Sequence, residues 1–406
     1  MPTQTIPNWW KKVRLGEVYN ISSWLWKWRK YFWKWFPFLS YKTIFNNFFV
    51  PEKLEDLVDT TLEEQEKFSI RRWDVFLTRT SEVIDEVWMS CVALKDYPTA
   101  TFNWFSKRLR PKKGIDILPE YIAYFFRSDY FRNQVSNVCS IITRASLNNE
   151  ILNSLSILLP PLPVQRKVAS ILSAYDELIE NNNKRIKILE SMGKAIFDDM
   201  MKQAEEKGEL EEVELKKIVD LLWGFAFKSK EYDPNWEYKV VTIKNVWDGE
   251  FITSPINKIS YIPEKMKEHC KLKNWDILLS LTWNVWRVCM VYGENYLLNQ
   301  RVAKLSPKKD NLYSFVYTLF RSDSMKNAMN SLANWVAQQN LSPVQLSEKT
   351  IKIPPQQTLK NFNNQVKPIL DEILNLQLQN QNLKQTRDLL IPQLVSGKLD
   401  VDKMEI

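Results

Sequence analysis

KNWDILLSLT (273–282) repeats the pattern of RRWDVFLTRT (71–80), about two hundred residues apart in one chain. Each is a polar turn, a Trp-Asp pair and a short apolar run bounded by turn signals, the pattern of a buried β-strand. Working outward, VWMSCVAL (87–94) answers VWRVCMVY (285–292), and FRSD occurs at 126–129 and again at 320–323. RASLNNEILNSLSILLPPL (144–162) then parallels QQNLSPVQLSEKTIKIPPQ (338–356), with Pro160-Pro161 answering Pro354-Pro355. One such match arises by chance; four in the same order do not. Each half contains strand-like runs (DVFLTRT, SCVAL, KVVTIK, DILLSLT) rich in β-branched and aromatic residues. A helical stretch follows, YIAYFFRSDYFRNQV (121–135) or FVYTLFRSDSMKNAM (315–329), and then a Pro-Pro stop and a long helix. The expected fold class is α+β, with two mixed α/β domains in tandem repeat, each followed by a long helix.

The long helices carry the clearest periodicity. In the second, Phe362, Val366, Ile369, Ile373, Leu376, Asn380, Leu383, Arg387, Leu390 and Leu394 keep unbroken 4-3 spacing, a heptad seam with two polar members. In the first, Val168, Ile171, Tyr175, Leu178, Asn182, Ile186, Leu189, Met192 and Ile196 do nearly the same. Such helices could cross-link two protomers, pack on their own domains or pair with each other. One helix after each domain, each with an Asn near its middle, favours pairing as an antiparallel coiled coil within the chain.

Composition limits the function classes. The 406 residues suffice for two to three domains, each with its own core. A net charge of +8 favours a polyanionic partner, nucleic acid first. A single histidine, His269, and four scattered cysteines (Cys91, Cys139, Cys270, Cys289) without a CxxC pair argue against a zinc site and fit a reducing cytoplasm. Neither an apolar signal segment nor a membrane-length apolar run occurs, so a cytoplasmic location without a membrane partner is expected. There is no GxxxxGK[ST] phosphate loop and no polar lead residue before Pro-Pro of the kind adenine methyltransferases use. Asp198-Asp199 reads as an exposed helix face. No catalytic residue, metal or cofactor is expected.

At this point the chain resembles a known family. PPLPVQRKVASILSAYDELIENNNKRIKILESMGKAIF (160–197) is similar to the central helix of specificity subunits of type I restriction–modification systems, and LLIPQLVSGKLDV (389–401) to the end of their distal helix. GFAFKSKEY (224–232) resembles the opening of a target-recognition domain, and LVDTTLEEQEKFSIRRWDVFLTRTSE (57–82) one of its core blocks. The resemblance implies target-recognition domains at 1–160 and 205–355, a central helix at 161–204, a distal helix at 356–397 and a tail at 398–406. It implies a non-catalytic subunit that reads a bipartite site in double-stranded DNA. Its partners would be two methylation subunits and a restriction subunit that is motor and nuclease. A coiled-coil scaffold without nucleic-acid specificity is the competing reading.

The resemblance also bears on an anomaly: 8 glycines against 17 tryptophans, where ordinary usage gives roughly 28 glycines. Family members usually show glycine before the Asp of the strand block and within LTWNVW and NWVAQQN. Trp24, Trp26, Trp28, Trp33, Trp35, Trp73, Trp88, Trp104, Trp236, Trp247, Trp275, Trp283, Trp286 and Trp335 stand at such places. The reading that follows is a UGA codon decoded as glycine in the source and written here as tryptophan; Trp10 is genuine on this reading.

Candidate DNA contacts are Lys27, Arg29, Lys30 and Lys34 in the stretch 24–39, then Arg79, Thr80, Ser81, Lys107 and Arg108 at a strand end and a later turn. In the second half they are Lys228, Lys244, Asn245, Asn284, Arg287, Gln300, Arg301, Gln338 and Gln339. Arg and Lys suit phosphates and guanine edges, Asn and Gln the adenine edge, Ser and Thr either.

Overall fold

The computed structural model describes residues 7, 9–22, 32–79, 88–139, 149–254, 256–333 and 340–401, without the side chains of 32–34 and 139. The chain divides into two units, residues 1–178 with 383–406, and residues 179–382. Both boundaries fall inside the long helices, so each unit contains a globular part and a stretch of each helix.

The first unit runs β1 (Lys11–Arg14), α1 (Leu15–Val18), β2 (Tyr19–Ser22), β3 (Phe32–Leu39), α2 (Tyr41–Asn46), β4 (Leu57–Val58), α3 (Leu62–Lys67) and β5 (Val75–Thr78). It continues through β6 (Ser90–Val92), β7 (Thr101–Phe102), β8 (Ser106–Pro111), α4 (Pro119–Phe125), α5 (Asp129–Cys139), α6 (Asn149–Ser154) and β9 (Ser156–Leu159) into the 45-residue α7 (Leu162–Glu206). After α7 come β10 (Glu211–Glu214), β11 (Val219–Trp223), β12 (Tyr238–Val241), β13 (Asn257–Ile259), β14 (Lys271–Leu272), β15 (Ile277–Ser280), β16 (Val288–Met290), β17 (Tyr296–Leu298) and β18 (Val302–Pro307). Then α8 (Tyr313–Arg321), α9 (Asp323–Ala333), α10 (Pro343–Ser347) and β19 (Thr350–Ile353) lead to the 40-residue α11 (Gln356–Val395).

The repeat in the sequence is a repeat in topology. Each half has a four-stranded sheet in which every pair is antiparallel, ordered β2-β8-β5-β6 in the first and β11-β18-β15-β16 in the second. The other sheet of each half is the three-stranded β4-β3-β7 and the four-stranded β13-β12-β17-β14, each with one parallel pair, β3 with β7 and β12 with β17. A two-stranded clasp, β1 with β9 and β10 with β19, brings together the start and end of each globular part. The tandem α+β expectation therefore holds. The Trp-Asp blocks are β5 and β15, buried at every position, which explains runs that are continuously apolar rather than alternating. Around β5 pack Leu109, Tyr121, Phe125 and Phe131, with Phe76 turned to a second small core of Leu39, Ile44 and Phe102. Around β15 pack Val288, Leu305, Phe315 and Phe320.

Two expectations need correction. The FRSD blocks do not lie inside one helix but form a corner, between α4 and α5 and between α8 and α9. At each corner the serine hydroxyl turns back to a helix-end carbonyl: Ser128 Oγ donates to Phe125 C=O (2.7 Å) and Ser322 Oγ to Leu319 C=O (2.7 Å). Serine competes for backbone partners in this way, so apolar periodicity alone overran the break. In α7, Leu178 and Met192 are exposed, and the buried stripe runs through Val168, Leu172, Ile179, Asn182, Phe197, Met200 and Ala204. A straight helix turns once per 3.6 residues, so a strict seven-residue spacing falls behind it by about 20° per heptad. In α11 the seam is as read, with Phe362, Val366, Ile373, Leu376, Asn380 and Leu394 buried, and Pro368 well inside the helix.

Within the second unit the helix stretches pair antiparallel, positions rising along α7 meeting positions falling along α11. Asn182 Nδ2 donates to Asn380 Oδ1 (3.0 Å), Arg185 bonds Glu372 (2.6 Å) and the Phe197 and Phe362 rings lie 5.9 Å apart. Within the first unit Arg387 of α11 pairs with Asp176 of α7. Both members of the Asn182–Asn380 bond are buried, Asn380 donating also to Asn183 (2.9 Å), and a polar pair in such a seam sets register. Asn380→Leu alone strands the Asn182 amide and is expected to cost about 1–3 kcal/mol. The double change to leucine restores stability to near or above the starting level. Urea unfolding of the four proteins of the cycle measures the coupling, and additive effects would show the pair to be incidental.

Candidate nucleic-acid interface

Four segments of the second unit converge on one end of its antiparallel sheet β11-β18-β15-β16. Phe225 N–H donates to Leu298 C=O (2.8 Å) and Gln300 N–H to Phe225 C=O (2.9 Å). Leu281 N–H donates to Arg301 C=O (3.0 Å), and Leu341 N–H to Leu281 C=O (2.9 Å). Gly224 permits this approach, since a Cβ there would run into the Leu298 and Asn299 carbonyls. The connection after β11, the β15–β16 loop, the β17–β18 turn and the chain at 340–341 are thus tied by backbone bonds.

These ties bring together Asn284, half-buried, and Gln300 and Arg301, both exposed, on adjoining loops. Lys228 is exposed on the connection after β11, where Phe227 is the buried anchor. Gln338 and Gln339 lie outside the described residues, directly before Asn340, which bridges Thr282 of the same loop cluster. Lys244 and Asn245 belong instead to the turn region 242–252, and Arg287, although in the β15–β16 loop, turns its side chain to that region. The Arg287 guanidinium stacks over the Trp247 ring at 4.1 Å, and burial lowers its pKa, partly offset by Asp248. Lys244 is exposed. Asn245 is buried: its Oδ1 accepts from Thr242 N–H (3.0 Å) and its Nδ2 donates to Ile252 C=O (2.9 Å). Those bonds commit the Asn245 amide to the turn itself.

Among the described residues, the first unit places fewer candidates at the corresponding sheet end. Arg79 follows β5, with its N–H on Phe105 C=O and its Nε buried without a partner among the described residues. Lys107 is buried with Nζ on Asn149 Oδ1 (3.0 Å), and burial, then the neighbouring charge of Arg79, lowers its pKa. Arg108 is buried and donates to Ser22 Oγ (3.1 Å) and Ser69 C=O (2.7 Å). Burial pulls it down to about 10, which leaves it charged at neutral pH. Its bonds hold β2 and the chain before β5 against β8. Lys27, Arg29, Lys30, Thr80 and Ser81 lie outside the described residues, as does the side chain of Lys34.

Trp104, read from the sequence as a glycine position, and Phe105 form an exposed pair, 4.3 Å between centroids, in the turn joining β7 and β8. The sequence reading missed the arginines of the FRSD corners, whose recurrence was visible but whose ligands are distant in sequence. Among the described residues no group of three or more His, Cys, Asp or Glu side chains could hold a metal ion. Burial pushes the Cys91 thiol up to about 12 and raises that of Cys289, so neither offers a thiolate at neutral pH. No helix among the described residues is long and apolar enough to cross a membrane. The surface at the sheet end presents amide and guanidinium groups on loops held by a rigid scaffold, the chemistry of base-edge and phosphate contact.

Comparison with known proteins agrees. The family profile described as type I restriction modification DNA specificity domain matches residues 7–191 and again 207–386. The type I restriction enzyme MjaIX specificity subunit of Methanocaldococcus jannaschii is 25% identical, over 98% of this chain and 95% of its own length. The HindI specificity subunit of Haemophilus influenzae is 20% identical over 96% of this chain and 99% of its own. In fold, the chain is similar to the S subunit of a type I restriction–modification system from M. genitalium, with a TM-score of 0.53 at 13% identity, covering 97% of each.

Proposed function

The chain belongs to the type I restriction–modification DNA specificity family, and from that premise we propose that it reads a bipartite duplex DNA site, one half with each recognition domain, and directs partner subunits to methylate or cut. The recognition domains are residues 1–160 and 205–355, the central helix 161–204, the distal helix 356–397 and the tail 398–406. The partners are double-stranded DNA, two methylation subunits and a motor–nuclease restriction subunit; the chain itself supplies recognition and no catalysis. The observation that carries this reading is the recurrence of one sheet order in both halves, with polar loops gathered at the sheet end of the second. Two readers joined by helices gain affinity only for half-sites at a matching spacing.

The first test is a methylation map of a host co-expressing this gene with its methylation subunit. The expected result is methylated adenine in a single split motif, lost when this gene is deleted. No split motif, with the methylation subunit present and folded, favours the coiled-coil scaffold. Asn284→Ala or Gln300→Ala is expected to relax one base position of one half-site, a discrimination of about 1–3 kcal/mol, and leave the other half-site unchanged. Arg301→Ala is expected to weaken binding across sequences and lower the salt slope by about one if it contacts phosphate. Duplex titrations at several salt concentrations distinguish the two.

A further inference from the structure

Seven described residues other than glycine take a positive φ: Thr99, Asn295 and five tryptophans, Trp35, Trp73, Trp88, Trp275 and Trp283. Tryptophan supplies only 17 of 406 residues, so its predominance in this group is not a matter of composition. A positive φ sets Cβ against the backbone, and a bulky side chain there is an outlier.

The local geometry at these positions asks for glycine. Trp73 (φ 79°) and Trp275 (φ 78°) occupy the third place of matching four-residue turns. The turns are closed by Asp74 N–H on Arg71 C=O (3.1 Å) and Asp276 N–H on Lys273 C=O (3.1 Å). Both are locked again by the aspartate carboxylate, which accepts from Arg71 N–H (2.8 Å) or Lys273 N–H (2.9 Å). A φ near +80° at the third residue of a turn is the glycine position of type II geometry. Trp283 (φ 65°) is the middle of a three-residue turn in which Asn284 N–H reaches Thr282 C=O (2.8 Å), the strained positive-φ form. Trp35 (φ 68°) lies in the irregularity of β3, where Phe32 and Phe36 both register with Val58. Bulges of that kind take a left-handed glycine. Trp88 (φ 61°) is buried, with its Nε1 unpartnered among the described residues. Trp104, Trp236, Trp247 and Trp286 take no positive φ.

We infer that positions 35, 73, 88, 275 and 283 carry glycine in the protein its source makes, the codon there being decoded as glycine and not tryptophan. The turn at 282–284 then offers Asn284 beside a bare glycine backbone that can lie close to a phosphate, where Trp283 would have stood exposed as a stacking surface. The two repeats thereby carry the same turn with the same residue before the same aspartate.

The test is mass spectrometry of the protein isolated from its source. The tryptic peptides 35–42, 73–79, 80–95 and 274–287 are expected to be lighter than their written sequences by the tryptophan–glycine difference at each named position. Peptide 1–11 serves as the control, because Trp10 has an ordinary φ, packs in the first core and is expected to remain tryptophan. Tryptophan masses at the five positions overturn the inference. A second measurement uses recombinant full-length protein. Trp35, Trp73 and Trp283 are 77%, 42% and 69% exposed, so their side chains contribute little packing. The triple variant Trp35→Gly, Trp73→Gly, Trp283→Gly is expected to unfold at a higher urea concentration, and Trp10→Gly at a lower one. A triple variant that unfolds earlier would count against glycine at these positions.

Discussion

Replacing Arg127 by alanine is expected to lower the stability of the first unit by about 3–5 kcal/mol, because several buried carbonyls lose a charged donor at once. The side chain sits at the α4–α5 corner and donates to four backbone carbonyls: Ile44 (2.9 Å), Phe45 (3.0 Å), Asn47 (2.7 Å) and Ser90 (2.6 Å). It also stacks over Phe48 at 4.7 Å. It thus joins the end of α2, the loop after it and β6 to the helical layer. Burial lowers its pKa to about 10, so at neutral pH it is charged, and the carbonyls are its compensation. Truncation leaves those carbonyls with fewer donors in a poorly hydrated place, at about 1–3 kcal/mol each where water cannot enter. Lysine in its place keeps the charge but lacks the planar fork, and is expected to recover little. Hydrogen exchange of the full chain is the readout: protection lost at 44–50 and 90–92, with 277–305 unchanged. Protection retained at 44–50 and 90–92 would mean that the corner is held by apolar packing alone.

Arg321→Ala is expected to cost the second unit about 3 kcal/mol, the lower end of the range for removing one member of a buried ion pair because its partners keep some exposure. This arginine occupies the same place in the repeat, yet its ligands are acidic. It donates to Glu190 of α7 (2.8 Å), Asp248 (3.0 Å) and Tyr317 Oη (3.0 Å), and Lys326 shares Asp248 (2.8 Å). Burial alone would lower its pKa, but Tyr317, Glu190 and Asp248 outweigh that and hold it above the ordinary value. Gly249, at φ 79°, completes the site: a Cβ there would collide with Glu190 Oε1 and come within 2.6 Å of Arg321 Nη2. Its carbonyl accepts from the buried Gln377 of α11 (2.8 Å). Glu190→Gln is expected to lose much less, since Asp248 remains. Urea unfolding of the three proteins ranks them, and equal losses for Arg321→Ala and Glu190→Gln would contradict the network.

The difference between the two arginines shows where the sequence could be read and where it could not. Local signals were sufficient for β5 and β15, for the Pro-Pro stops and for the heptad seam of α11, because each depends on residues a few positions apart. The repeat then supplied the topology. The ligands of Arg127 lie 37 to 83 positions away and those of Arg321 up to 131, and no spacing rule reaches that far. For the same reason Lys107, Arg108 and Asn245 read as open polar groups, whereas Asn149, Ser69 and Ile252 take up their hydrogen bonds. Asn284, Gln300 and Arg301 were named singly; that they share one sheet end follows only from the backbone bonds through Phe225, Leu281 and Leu341. The tryptophans are the reverse case. Their composition looked wrong before any geometry, and five left-handed turns, each strained by about 1–3 kcal/mol when not glycine, give the anomaly a physical location.

The clasps have a consequence for how such a chain can change over time. In the second globular part the chain enters at Glu211 directly opposite the point where it leaves at Ile353, and in the first Lys11 stands opposite Leu159. Everything between those points is a closed excursion that returns to where it began. Insertions, deletions or wholesale replacement inside the excursion need not disturb the clasp, provided the incoming segment ends in two strands of that register. The helices are therefore sockets and the recognition folds interchangeable cassettes. Crossovers within the two clasp strands exchange everything between them and leave both long helices as they were.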